Sequence, residues 1–173
     1  MKKTKFVEKS DLKFFLIVLS ICAIARTFLL KPVVVEGQSM HPTLESGETG
    51  FSFPLGKLSL KRGDIVIINV SNYHEGKQYY IVKRVIGLPG ETVKVVGTDV
   101  YINGTPLLET YPVYEHDAEE MTVTLNDDEY YCMGDNRSHS MDSRYYGPFK
   151  SSDIVAKGFL SFPLIFSRKN AAN

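Results

Sequence analysis

Hydrophobic and polar positions divide this chain into two unequal parts. From Phe14 to Leu30 the residues run apolar, with a charge only at Arg26. A helix over this stretch rises about 26 Å, at the short end of what spans the hydrocarbon core of a bilayer. Lys2, Lys3, Lys5, Lys9 and Lys13 precede it. That excess of positive charge predicts a cytoplasmic N-terminus, with everything after Pro32 facing outward. Arg26 lies one turn from the far end, where its long side chain can snorkel to the headgroups. From Val33 onward the long period disappears, and short β-branched and aromatic runs alternate with turn residues. The runs predict strands at Val33–Glu36, Ile65–Val70, Tyr79–Ile86, Thr92–Val96, Val100–Ile102, Thr122–Leu125, Tyr130–Met133 and Ile154–Phe159. Asn103-Gly104 reads as a tight hairpin turn, Ser71–Lys77 as a longer polar loop, and Leu88-Pro89-Gly90 as a strand stop.

The expected architecture is therefore mainly β. An N-terminal transmembrane helix is followed by a curled antiparallel sheet domain with a small second β lobe. In residue terms, 1–13 form a cytoplasmic basic N-terminus, 14–31 an anchor and 32–173 an extracytoplasmic domain, with the small lobe at 92–132. A cleavable signal peptide is the competing pattern for the N-terminal block, since a basic start and an apolar stretch lead to Ala23-Ile24-Ala25. Against cleavage, the apolar run resumes after Arg26 through Phe28-Leu29-Leu30.

Composition removes several functions. Formal net charge is zero, and no Lys/Arg stripe interleaves with aromatics, so nucleic acid is not an expected partner. Two cysteines, Cys22 in the apolar block and Cys132 far from it, make neither a disulfide framework nor a zinc site. His41, His74, His116 and His139 stand singly, without ligand spacing, so no metal site is expected.

Three segments are richer in reactive groups than a structural strand needs. In Glu36-Gly37-Gln38-Ser39-Met40-His41-Pro42-Thr43-Leu44, a serine stands in a bent, exposed stretch, which taken alone also describes an ordinary turn. In Tyr80–Gly87, period-two alternation puts Ile81, Lys83 and Val85 on one face and Val82, Arg84 and Ile86 on the other. One of two adjacent cations must then enter an apolar face. That is either an edge protected by charge or a lysine desolvated until it exists as a neutral amine able to take a proton from a serine. The third segment, Met133–Gly147, holds Asp135, Asn136, Arg137, Ser138, Ser140, Asp142, Ser143 and Arg144, with Asp142 and Arg144 able to pair and stiffen it. A Ser-His-Asp arrangement on His41 or His139 is a further possibility, although His41 lies awkwardly close to Ser39 in sequence.

Together these segments resemble the type I signal peptidases, from the N-terminal block to roughly residue 160. Gly37–Leu44 resembles the family's nucleophile box, Lys61-Arg62-Gly63-Asp64-Ile65-Val66 its Arg-Gly-Asp strand box, and Val82–Gly90 its base box. Gly134-Asp135-Asn136-Arg137 with Ser140-x-Asp142-Ser143-Arg144 is similar to the last box. The resemblance implies Ser39 as nucleophile, Lys83 as general base, Ser140 hydrogen-bonding the lysine amine, and Asp142 with Arg144 holding the scaffold. A lysine rather than a histidine at position 83 sets the chain apart from the endoplasmic-reticulum branch. Gly37 departs from members carrying a hydroxyl two residues before the nucleophile, leaving the Ser39 backbone N–H, with a water, for the oxyanion. The single N-terminal span resembles the compact Gram-positive form.

The implied activity is cleavage of signal peptides from secretory preproteins at the bilayer surface, without a cofactor. Nine residues from Leu30 to Ser39 reach at most about 30 Å, which keeps the nucleophile near the membrane. Substrate is expected as an extended strand between Val33–Gln38 and Tyr79–Val82. Val35, Met40, Leu44 and Val82 are expected to line shallow pockets that admit small residues, giving an Ala-x-Ala preference by steric exclusion. A catalytically silent, membrane-tethered paralogue acting as a binding protein is the alternative, and retention of both Ser39 and Lys83 argues against it. A self-cleaving Ser/Lys repressor would need a DNA-binding domain where this chain has its apolar block.

Overall fold

The structure, a computed structural model, describes residues 9–73, 78–111, 113 and 120–161. Lys2, Lys3, Lys5, His74, His116 and residues 162–173 lie outside the described residues, as does the side chain of Arg26.

Helix α1 runs Lys9–Phe28 and strand β1 follows at Lys31–Val34. The helix thus starts before and ends earlier than the apolar run predicts, because Pro32 pairs in the sheet opposite Phe51. Asp11, Lys13 and Arg26 confine the uncharged part of α1 to Phe14–Ala25, about 18 Å of rise. Among the described residues no helix is long and apolar enough to cross a membrane. Leu12, Phe14, Phe15, Leu16, Ile17 and Leu19 are nonetheless all exposed.

The remaining strands are β2 Thr49–Phe53, β3 Ile65–Asn69, β4 Tyr80–Gly87, β5 Thr92–Val96 and β6 Asp99–Ile102. They continue with β7 Thr105–Pro106, β8 Met121–Thr124, β9 Glu129–Met133, β10 Phe149–Lys150 and β11 Ile154–Ser161. A short helix α2, Ser143–Tyr146, precedes β10. Seven strands form a curled antiparallel sheet in the order β1-β2-β11-β3-β4-β9-β10, and four form a smaller one, β7-β6-β5-β8. The small lobe therefore stops at β8. Glu129–Met133, expected within it through residue 132, pairs with β4 in the large sheet.

Period two explains the packing. Val66, Ile68 and Val70 point with Ile81 and Val85 into one core cluster, closed by Cys132, Phe149 and Ile154. Ile86 on the opposite face joins Val93, Val95, Val100, Leu125, Tyr131 and Met133 beneath the small lobe. A third cluster, Val35, Met40 and Leu44 with Ile65, Val82 and Phe159, sits under the turn after β1. The β6–β7 hairpin turns at Asn103 (φ 51°) and Gly104 (φ 80°), the pair of left-handed conformations that a two-residue turn requires. Cys22, exposed on α1, and Cys132, buried on β9, remain separate free thiols.

Candidate active site

The chain leaves β1 and turns sharply at Gly37, whose φ of 86° lies in the left-handed region where a side chain would be strained. Its N–H donates to Ser46 Oγ at 3.2 Å. A Ser or Thr is therefore disfavoured at this position, which is a physical reason for the absence of a hydroxyl there. The turn continues with bonds from His41 N to Gln38 O (3.1 Å) and from Leu44 N to Met40 O (3.0 Å). Met40 is thereby buried in the third cluster while Ser39 faces a cleft.

Strand β4 delivers both of its cations to buried positions, and the two environments differ. Arg84, 7% exposed, has a counter-ion: Nε and Nη2 donate to the Asp135 carboxylate at 2.8 and 2.6 Å. Its Nη1 donates to Gly63 O, and the Tyr111 ring lies 3.9 Å from its guanidinium carbon. Lys83, 3% exposed, has no such partner among the described residues. Its Nζ lies 2.8 Å from Ser39 Oγ and donates to Val82 O at 2.9 Å. Burial lowers its pKa from 10.5 to about 8, against an opposing pull from the Asp142 carboxylate. Roughly a tenth of the amine is then neutral at pH 7.

The loop from Gly134 to Arg144 folds around a buried carboxylate. Asp142 accepts from Arg144 Nε and Nη2, both at 2.9 Å, and from Gly134 N at 3.0 Å. Burial alone would raise its pKa, but the Arg144 bonds and charge and the Gly134 N–H hold it below the usual carboxylate value. Asp142 also caps α2 by accepting from Arg144 N. Arg144 Nη2 reaches Arg137 O at 2.7 Å, and Arg137, itself buried, bonds Gly134 O and the carboxylate of Glu109.

Two expected roles look different in three dimensions. Ser140 Oγ is buried but makes no hydrogen bond of normal geometry among the described residues. It lies close enough to the Asp142 carboxylate to help lower its pKa, whereas the donors of Lys83 go to Ser39 and Val82. Leu44 packs against Val35 and Met40 in the core and does not line the cleft, whereas Val35, Met40 and Val82 do. Leu44 is drawn inward because its N–H closes the turn on Met40 O. The cleft, about 340 Å³, lies between residues 33–40 and Tyr79–Lys83, with His139 and Met141 at its rim.

Periodicity gave no role to Asn136, Glu109 or Tyr111. Asn136 N donates to Ser39 O and its Nδ2 to Gln38 O, each at 3.1 Å. Glu109 and Tyr111 reach the site only through the fold, and the distance in sequence concealed them.

Comparison with known proteins identifies the family. The family model described as signal peptidase, peptidase S26 matches residues 9–163. Signal peptidase I P of Bacillus subtilis subsp. natto is 38% identical over 177 residues, covering 94% of this chain and 92% of its own. Signal peptidase I T of Bacillus subtilis (strain 168) is 42% identical over 144 residues, covering 76% and 72%. A crystal structure of a signal peptidase I from Enterococcus faecalis V583, 30% identical, matches 57% of this chain and 95% of that one with a TM-score of 0.47. With the family model spanning residues 9–163 and relatives aligned over most of its length, this chain belongs to the signal peptidases of family S26, the type I enzymes, and is a serine endopeptidase.

Proposed function

We propose that this enzyme removes N-terminal signal peptides from exported preproteins with Ser39 as nucleophile and Lys83 as general base. The observation that carries the reading is the 2.8 Å approach of Lys83 Nζ to Ser39 Oγ, with the lysine buried and, among the described residues, no carboxylate paired to it. Neutral Lys83 takes the Ser39 proton as Oγ bonds to the scissile carbonyl carbon. The resulting ammonium then gives that proton to the departing amine, the new N-terminus of the mature protein. In the second half Lys83 takes a proton from water as the water oxygen bonds to the acyl carbon, then returns that proton to Ser39 Oγ as the ester C–Oγ bond breaks. The freed carboxyl end of the signal peptide ionises in water. Asp142 and Arg144 brace the loop that carries Ser140.

Substrate enters as an extended strand. Tyr79 O accepts from Val70 N and Val85 N donates to Asp64 O, so odd-numbered residues of β4 bond toward β3. By alternation, the backbone groups of Tyr80 and Val82 point away from β3, to the cleft side. A peptide laid there, with residues 33–38 on its other flank, finds Val35, Met40 and Val82 beneath its side chains. These leave room for small residues at alternate positions, the Ala-x-Ala pattern.

The bilayer is the second partner. An apolar α1 with exposed side chains from Leu12 to Ile21 needs a cover, and lipid supplies one. Lys13 and Arg26 stand at the ends of its uncharged stretch, and the lysines before Phe14 keep the N-terminus cytoplasmic. In this reading residues 1–13 are cytoplasmic, 14–31 the anchor and 32–173 extracytoplasmic. The test is incubation of the full chain in detergent with a preprotein, followed by sequencing of the new N-terminus. Cleavage after a small-x-small sequence, lost in Ser39→Ala and in Lys83→Ala, is expected. Either variant retaining activity within tenfold of wild type would remove the dyad.

A further inference from the structure

A serine attacking a carbonyl needs a donor for the oxygen that becomes negative. Gly37 brings no hydroxyl, which leaves the Ser39 N–H, and something must aim it. In a trans peptide the C=O of one residue and the N–H of the next point in opposite directions. Whatever grips Gln38 O therefore sets the direction of the Ser39 N–H. Two groups grip it, His41 N from within the turn and Asn136 Nδ2 from outside it, both at 3.1 Å. Asn136 also holds the far side of the nucleophile, its own N–H donating to Ser39 O at 3.1 Å. The amide is fixed in turn, because Ser138 Oγ donates to Asn136 Oδ1 at 3.1 Å. Asn136 is 6% exposed, and Gln38 and Ser39 line the cleft whereas Asn136 does not. Its pull on Gln38 O is therefore directed away from the cleft. Among the described residues the Ser39 N–H donates to nothing.

We propose that Asn136 is a positioning residue for the oxyanion: by holding the carbonyls of Gln38 and Ser39 it turns the Ser39 N–H into the cleft, toward the oxygen of the scissile carbonyl. It touches neither substrate nor the reacting atoms. The inference rests on the reading of Ser39 as nucleophile.

The test uses the full chain in detergent with a preprotein substrate and two variants. Asn136→Ala removes the grip on Gln38 O. Asn136→Asp keeps the shape and the bond from Ser138 but presents an acceptor to that oxygen. Rates are taken per folded molecule, with melting temperatures measured alongside. Both variants should lose kcat by about 30- to 100-fold, somewhat less than deletion of an oxyanion donor, with KM within twofold. The acidic limb of the Asn136→Ala pH profile should not move, because that change leaves the charges around Lys83 as they are, whereas the carboxylate of Asn136→Asp should carry the limb to higher pH. A peptide aldehyde, whose adduct with Ser39 carries the tetrahedral oxygen, should bind less tightly by a similar factor, while the corresponding peptide alcohol binds as before. If Asn136→Ala does not fold, Asn136→Asp carries the test. A kcat loss under threefold in either variant, a shifted acidic limb in Asn136→Ala, or equal weakening of aldehyde and alcohol would overturn the assignment. Ser39→Ala separates the two ideas. If it stays active, the nucleophile reading is lost. If it is dead while the Asn136 variants are fully active, only the positioning role is lost.

Discussion

Replacing Lys83 by methionine should abolish activity and, at neutral pH, relieve the fold of a cost. The amine is 3% exposed, and its pKa falls from 10.5 to about 8 chiefly through burial. Between those two values the unfolded chain binds more protons at this position than the folded one, so the contribution of Lys83 to stability rises with pH across that window. At pH 7 a shift of this size corresponds to about 3 kcal/mol against folding, and at pH 10 to less than about 1 kcal/mol. Methionine fills a similar volume and does not titrate. It forfeits the amine's bonds to Ser39 Oγ and Val82 O, at about 1 kcal/mol each. The net gain at pH 7 is then small, but the change with pH is not. The stability difference between Lys83→Met and wild type should move by about 2–3 kcal/mol in favour of wild type from pH 7 to pH 10. Urea unfolding of both proteins at the two pH values measures it, and every other titrating group cancels in the difference. A difference constant within about 0.5 kcal/mol would mean that Lys83 titrates like a solvated lysine, and the mechanism would lose its base.

The activity profile should carry the same signature, with kcat/KM falling about tenfold per unit below a pH near 8 as Lys83 takes up its proton. A limb near 10.5 would contradict this. Asp142→Asn removes the carboxylate that opposes the lowering of the Lys83 pKa, so the limb should move to lower pH. The same change breaks a buried pair with Arg144, costing about 3–5 kcal/mol and lowering Tm by about 10 °C in thermal melts; an unmoved limb would count against the electrostatic account. Gly37→Thr should not improve turnover by adding a hydroxyl. At φ 86° it strains the turn by about 1–2 kcal/mol, and a kcat above wild type would refute that.

Most strands were legible because their apolar residues alternate with polar ones between strong turn signals. Thr92–Val96 matches its expected bounds, and the Asn103-Gly104 hairpin forms as its chemistry requires. Strand β2 was hidden by the feature that lets it pack. A Cβ on Gly50 would lie 2.5 Å from Leu160 O, so the strand carries a glycine where sequence reading looks for a β-branched residue. Alternation placed Lys83 and Arg84 on opposite faces but did not say that both would be buried, because the Asp135 counter-ion lies 51 positions away. The proximity of Ser39 and Lys83, 44 positions apart, was likewise beyond periodicity and came only with the resemblance of the boxes. Pockets were least legible. Leu44 and Val35 look alike in sequence, and only the path of the turn decides which one reaches the cleft.

The four-stranded sheet leaves the large one at Gly87 and returns opposite it at Tyr131, between strands β4 and β9 that are already neighbours. Adjacent antiparallel strands need no more than a short turn to join them. Among related chains, this is a point where length can grow or shrink without moving the nucleophile. One tie limits that freedom. Glu109 bonds Arg137, and Tyr111 covers Arg84, so an abridged chain would take the carboxylate from buried Arg137 and uncover the Arg84–Asp135 pair. Variation in the size of this excursion should therefore be inherited together with the residues at positions 84 and 137, rather than independently of them.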